Sequence, residues 1–166
     1  MVRPYALALV ALAACGPIAA QQPRPAPPAA SDWRDWLVTP GTWTYERDAR
    51  GSVARFGRPG QGPLMVLRCD RAERRVVVSR AGSAPMGATM VIRTSSSAMT
   101  LAVQAGGAGA GNGGAMVSAS VDPRSPLLDA MGYSRGRFVV ETGTLPVLVV
   151  PAWPEILRVT EDCRTA

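Results

Sequence analysis

DPRSPLLDAMGYSRGRFVVETGTLPVLVVPAWPEILRVTEDCR, residues 122–164, is the stretch whose reading decides the fold. Asp122-Pro123 pairs an N-cap acid with a first-turn proline, which predicts a short helix near 123–131. Leu127, Leu128 and Met131 would form its apolar face, and Gly132 would end it. Arg137–Glu141 and Val147–Val150 read as strands joined around Gly143. Pro154-Glu155 then predicts a C-terminal helix near 154–163, with proline in its first turn and an acid beside the positive end of the dipole. Ile156, Val159 and Cys163 fall at i, i+3 and i+7, one face of that helix. Burying that face turns Cys163 into a core, and the helix needs a sheet to lie on.

The upstream chain reads as that sheet. Thr42–Tyr45 alternates with Trp43 and Tyr45 on one face, Asp48–Gly51 makes a turn, and Ser52–Phe56 returns. GRPGQGP at 57–63 is a loop. Leu64–Cys69 places Met65, Leu67 and Cys69 on one face and Arg68 on the other; after a turn at 70–74, Val76–Arg80 completes a hairpin. Thr89–Thr94 and Met99–Gln104 form two more strands across Ser95-Ser96-Ser97. Their apolar faces carry Met90 and Ile92, then Met99, Leu101 and Val103. Met116–Val121 alternates again. The class is mainly β, a sandwich or barrel-like set of antiparallel sheets with two helices. Gly109–Gly114 spells G-x-G-x-x-G, but a dinucleotide site needs a helix after it, and a strand pattern follows.

The N-terminal residues form a separate unit. Residues 1–20, MVRPYALALVALAACGPIAA, carry one arginine and an apolar run from Tyr5 to Ala14, too short to span a bilayer and fitting a secretory signal. Two processing routes stand open. Leu12-Ala13-Ala14-Cys15 matches a lipobox, whose cysteine would be lipidated, and Ile18-Ala19-Ala20 suits ordinary cleavage before Gln21. QQPRPAPPAA at 21–30 is a Pro/Ala-rich linker, and residues 31–166 are expected to form one β-rich domain. The expected location is the periplasm, or the outer membrane as an anchored lipoprotein. The membrane is met only through the signal or the lipid.

Composition removes chemistries. There is no histidine, and all 18 basic residues are arginine. The usual neutral-pH base, Schiff-base lysine and Walker lysine are therefore missing. Arginine binds anions but does not shuttle protons. The net charge of +6 falls to +5 once Arg3 is removed, and acids interrupt the arginines throughout, which argues against a nucleic-acid surface. With Cys15 lipidated or cut away, an exported chain is left with Cys69 and Cys163, which predicts a disulfide between them. Two cysteines without histidine make a poor zinc site, and no cofactor or metal is expected.

Three sets of residues are candidates for contact or chemistry. Trp33, Trp36, Trp43 and Tyr45 hold four of the nine aromatics; they form either an exposed aromatic surface or a plug over the core. Arg135 and Arg137 are the candidate anion contacts. Period-2 geometry puts them on one solvent-facing side, opposite Phe138, with pairing to Glu141 as the alternative use. Asp70 with Glu73, and Glu161 with Asp162, are the carboxylate pairs a glycosidase-like hydrolase would need, yet both sit among arginines.

DWRDW (32–36), TPGTWTYERDARGS (39–52), LRCD (67–70), GYSRGRFVVE (132–141) and PAWPEILRVTEDCR (151–164) together resemble a group of uncharacterised exported proteobacterial proteins. More distantly, the layout is similar to the invasion-associated locus B family. That likeness implies a small β-rich periplasmic domain with paired cysteines and a cysteine-bearing terminal helix. The leading functional expectation is a non-enzymatic envelope protein that binds a partner or polymer or serves a structural role there. An inhibitor or adaptor of another exported protein is the second reading, and a carboxylate-based hydrolase the third.

Overall fold

A computed structural model of the chain describes residues 32–106 and 114–166. The expected export signal, lipobox and linker lie outside the described residues, as does the glycine motif apart from Gly114. Among the described residues, ten strands and two helices follow a 3-10 turn at Trp33–Asp35, which Asp32 caps by accepting from the Arg34 N–H.

Six strands build the larger sheet: β1 (Thr42–Asp48), β2 (Gly51–Gly57), β3 (Met65–Asp70), β4 (Arg75–Ala81), β8 (Met116–Val121) and β7 (Gln104–Gly106), neighbours in that order. The smaller sheet is β10 (Leu148–Pro151), β9 (Arg137–Thr142), β5 (Thr89–Arg93) and β6 (Ala98–Ala102). All pairings are antiparallel. The mainly β class with two helices stands, and the two open sheets pack as a sandwich.

Register explains the core. On the inner face of the large sheet, Trp43, Phe56, Met65, Arg80 and Val117 stand side by side across five strands. The next row is Tyr45, Ala54, Leu67, Val78 and Ala119. At the far end lie Cys69, Val76 and Val121. Phe138, Val140 and Val150 of the small sheet join these residues in one apolar cluster with Leu127, Leu128, Met131, Ile156 and Val159. Each fully buried aliphatic side chain contributes about 1.5–3 kcal/mol.

Two differences from expectation bear on the fold. The first helix, α1 (Pro126–Gly132), starts three residues later, capped by Ser125, whose hydroxyl accepts from the Leu127 N–H. Asp122 is used in a turn instead: it accepts from the Arg124 N–H at 2.8 Å, and its carbonyl accepts from the Ser125 N–H. The predicted strand Met99–Gln104 is broken at Val103, where the chain leaves the small sheet and enters the large one; the Val103 N–H donates to Ala88 O there. β9 begins at Arg137 as expected, directly after Gly136, whose φ is 77°.

The terminal helix, α2 (Pro154–Arg164), agrees with its reading, and Thr160 joins Ile156, Val159 and Cys163 on the buried face. It packs on β2 and β3 and against α1. Gly132 permits that last contact, since a Cβ there would lie 2.3 Å from Leu157 Cδ2.

Candidate functional site

Cys69 and Cys163 form a disulfide, with Cα atoms 5.3 Å apart, inside the usual bridging range. The bridge fixes the C-terminal end of α2 on β3. The rest of that end is held by charge. Tyr45 and Arg47 both donate to the Asp162 carboxylate, and Arg47 Nε donates to the Tyr45 hydroxyl at 2.8 Å. Burial pushes the Asp162 carboxyl up, but the Tyr45 and Arg47 hydrogen bonds and the Arg47 charge outweigh it. The acid therefore stays below the ordinary 3.8. Arg164 grips Asp129 of α1 with two 2.9 Å bonds, Glu161 with a third, and donates from Nε to Pro123 O. These acids hold its guanidinium above its ordinary range.

Beside this anchorage opens a pocket of about 200 Å³, lined by Arg74, Asp122, Pro123, Arg124, Cys163 and Arg164. Three separate elements deliver its cations. Arg74 closes the β3–β4 turn in a left-handed conformation (φ 51°), uncommon for a residue with a side chain. The turn is pinned by Asp70, which accepts from the Glu73 N–H and from Arg50 at 2.9 Å; the Arg50 bond holds Asp70 below its ordinary pKa. Arg124 comes from the Asp122–Ser125 turn, and Arg164 from the last turn of α2. Arg74 and Arg124 have no acidic side-chain partner among the described residues. The single carboxylate lining the pocket, Asp122, is drawn toward Arg75 at 3.7 Å and toward the Arg124 N–H. Guanidiniums cannot exchange protons near neutral pH, so this arrangement suits holding an anion rather than transforming one.

The residues singled out from sequence are distributed differently. Arg135 is exposed and its backbone N–H donates to Ser95 Oγ at 3.1 Å. Arg137 is half-buried and donates to Trp36 O. Arg135 is thus exposed as expected and Arg137 only partly so, and the alternation between them is interrupted by the left-handed Gly136. Phe138 does point inward, and Glu141 pairs with Arg93 at 3.3 Å. The four aromatics also separate. Trp43 is a core residue, its ring 5.4 Å from Phe56 and its Nε1–H donating to Pro151 O at 2.9 Å, and so offers no surface. Tyr45 is half-buried under Arg158, whose guanidinium lies 4.9 Å from the ring. Trp33 and Trp36 sit elsewhere, half-exposed. Three of the four paired acids are committed, Asp70 to Arg50, Glu161 to Arg164, and Asp162 to Arg47 and Tyr45, while Glu73 makes no ion pair among the described residues.

Two features escaped the sequence reading. Arg80, 2% exposed, lies in the core. Its NH2 donates to Pro146 O at 2.9 Å and its NH1 weakly to Val140 O at 3.5 Å, and burial draws its pKa down. Its signal was present, since Arg80 is in phase with Val76 and Val78. The arginine pocket had no such signal, because Arg74, Arg124 and Arg164 are far apart in the chain. Compared with protein-family models, curated proteins and solved structures, the chain matches none.

Proposed function

We propose that the chain is an exported, non-enzymatic envelope domain that binds an anionic group of an envelope partner or polymer in the pocket at the C-terminal end of α2. The observation carrying this reading is the meeting of Arg74, Arg124 and Arg164 around one pocket, two of them without an acidic partner among the described residues. Arg164 is spent on Asp129 and Glu161 and shapes the floor, which leaves Arg74 and Arg124 to contact the ligand. Phosphate and carboxylate oxygens match the guanidinium fork, each charge-assisted bond contributing about 1.5–3 kcal/mol. The disulfide and the leader-like N-terminus favour an oxidising compartment, where such a staple persists.

The test is calorimetric titration of the chain with pyrophosphate and with an acidic oligosaccharide. Binding is expected to weaken steadily with salt and to fall at least about tenfold in Arg74→Ala/Arg124→Ala, equivalent to about 1.4 kcal/mol. Unchanged affinity in that double variant sinks the reading.

A further inference from the structure

Val139 and Val149 are cross-strand partners on the side of the small sheet opposite Phe138, Val140 and Val150, yet both are buried. The segment from Trp36 to Thr39 runs along the open edge of β10. The Thr39 N–H donates to Val149 O at 2.8 Å, the Val149 N–H donates to Thr39 Oγ1 at 3.0 Å, and Arg137 donates to Trp36 O. This edge segment carries exposed apolar groups. Leu37 is 91% exposed, Val38 is exposed, and Trp33 and Trp36 are half-exposed. Trp153, 41% exposed, belongs to the same corner: its N–H donates to the oxygen of Pro151, the strand partner of Arg137. Single exposed apolar residues are ordinary, but two tryptophans, a leucine and a valine within 33–38, with Trp153 just beyond the strand that this segment flanks, mark a contact surface.

Its chemistry fits a bilayer boundary. Tryptophans settle at the headgroup level, where an apolar ring and a polar N–H are both served, and a projecting leucine reaches the acyl region. Arg135, exposed and without an acidic partner among the described residues, precedes Gly136, whose carbonyl accepts from the Ala152 N–H next to Trp153, which places positive charge near the patch. Asp32 is occupied by Arg34, leaving Asp35 as the acid of this turn. Asp32 stands 17 positions after Cys15 (32 − 15), with the apolar run Tyr5–Ala14 just before that cysteine. At roughly 3.3–3.6 Å per residue, that stretch spans no more than about 60 Å. A chain held at a bilayer through its N-terminal residues would keep this corner within reach of lipid, because the fold begins inside it.

We infer that Trp33, Trp36, Leu37, Val38 and Trp153 form a lipid-contact patch that seats the folded domain on the headgroup boundary of an anionic bilayer, with Arg135 near it. This rests on the envelope reading above but not on the arginine pocket. The test uses the full chain with phosphatidylglycerol vesicles carrying brominated acyl chains, which quench only tryptophans that touch them. Wild-type emission should be quenched down to the buried Trp43 component. The quenchable part should shrink in Trp33→Phe and again in Trp153→Phe, and Leu37→Asp/Val38→Asp should lose most of it. Arg74→Ala/Arg124→Ala should leave quenching unchanged, so failure of the pocket and failure of the patch are read separately. Vesicle-bound protein whose tryptophans are unquenched overturns the inference, since the N-terminus alone would then hold it. So does a dimer that shields Trp33 and Trp153 from an aqueous quencher and persists with vesicles, since a second copy would then own the patch.

Discussion

The inner face of the large sheet is closed at its two ends by opposite means. At the Cys69–Val76–Val121 end, α2 is bonded covalently, and Asp162, Tyr45, Arg47 and Arg164 add ionised contacts near the surface. At the Trp43–Phe56–Met65–Arg80 end there is no bridge. The small sheet covers the row, and a buried guanidinium is served by backbone carbonyls alone. The first end is secured by chemistry that depends on oxidation and pH, the second by packing that depends on neither. A buried charge is tolerated at the second end because its donors reach strand and loop oxygens.

The largest expected effect comes from cutting the staple. The bridged cysteines are 94 residues apart in sequence, and the chain-entropy model assigns such a loop about 4–5 kcal/mol. Reduction, or Cys69→Ser/Cys163→Ser, should lower Tm by roughly 10–20 °C at about 2–4 °C per kcal/mol. Amide exchange should rise first in α2. A shift of only a degree or two would show that the ionic contacts suffice and that the two ends are alike.

Arg80 sharpens the comparison from the other side. Arg80→Ala should cost about 2–4 kcal/mol, through lost packing and orphaned carbonyls. Arg80→Met keeps the stem and removes the buried charge, so denaturant unfolding should place it within about 1 kcal/mol of wild type. Equal losses in the two variants would mean that the hydrogen bonds to Pro146 and Val140, rather than packing, hold this end.

The smallest effect is acidic. Asp162, Asp70 and Asp48 all lie below the ordinary 3.8; Asp70 and Asp48 are held there chiefly by arginine hydrogen bonds, while in Asp162 such bonds overcome burial. A depressed carboxyl contributes stability that is present above its ordinary pKa and lost as pH falls through the folded one. Tm should stay level down to about pH 5 and decline below about pH 4, less steeply in Asp162→Asn. A decline that leaves α2 exchange unaffected would move the acid-sensitive contacts away from the stapled end.

Much of this architecture was legible because strands and helices impose periods on a chain. Met65, Leu67 and Cys69 at spacing two, with Ile156, Val159 and Cys163 at spacings three and four, turn both cysteines inward by periodicity alone. Arg80 was equally legible by phase. Trp43 was less so, since a strand aromatic reads the same whether it fills a core or faces solvent. Arg135 and Arg137 are not placed by alternation, because the left-handed Gly136 between them resets it.

By itself, then, the sequence determined the class, the strand faces, the two helices and the cysteines available to pair, because each follows from local spacing and backbone stereochemistry. Tertiary structure alone decided that Met99–Gln104 would be split between two sheets at Val103, that the Trp36–Thr39 segment would flank the edge of β10, and that Arg74, Arg124 and Arg164 would meet around one pocket. Those outcomes depend on which surfaces pack across long stretches of chain, and a contact between distant residues leaves no period to read in either partner.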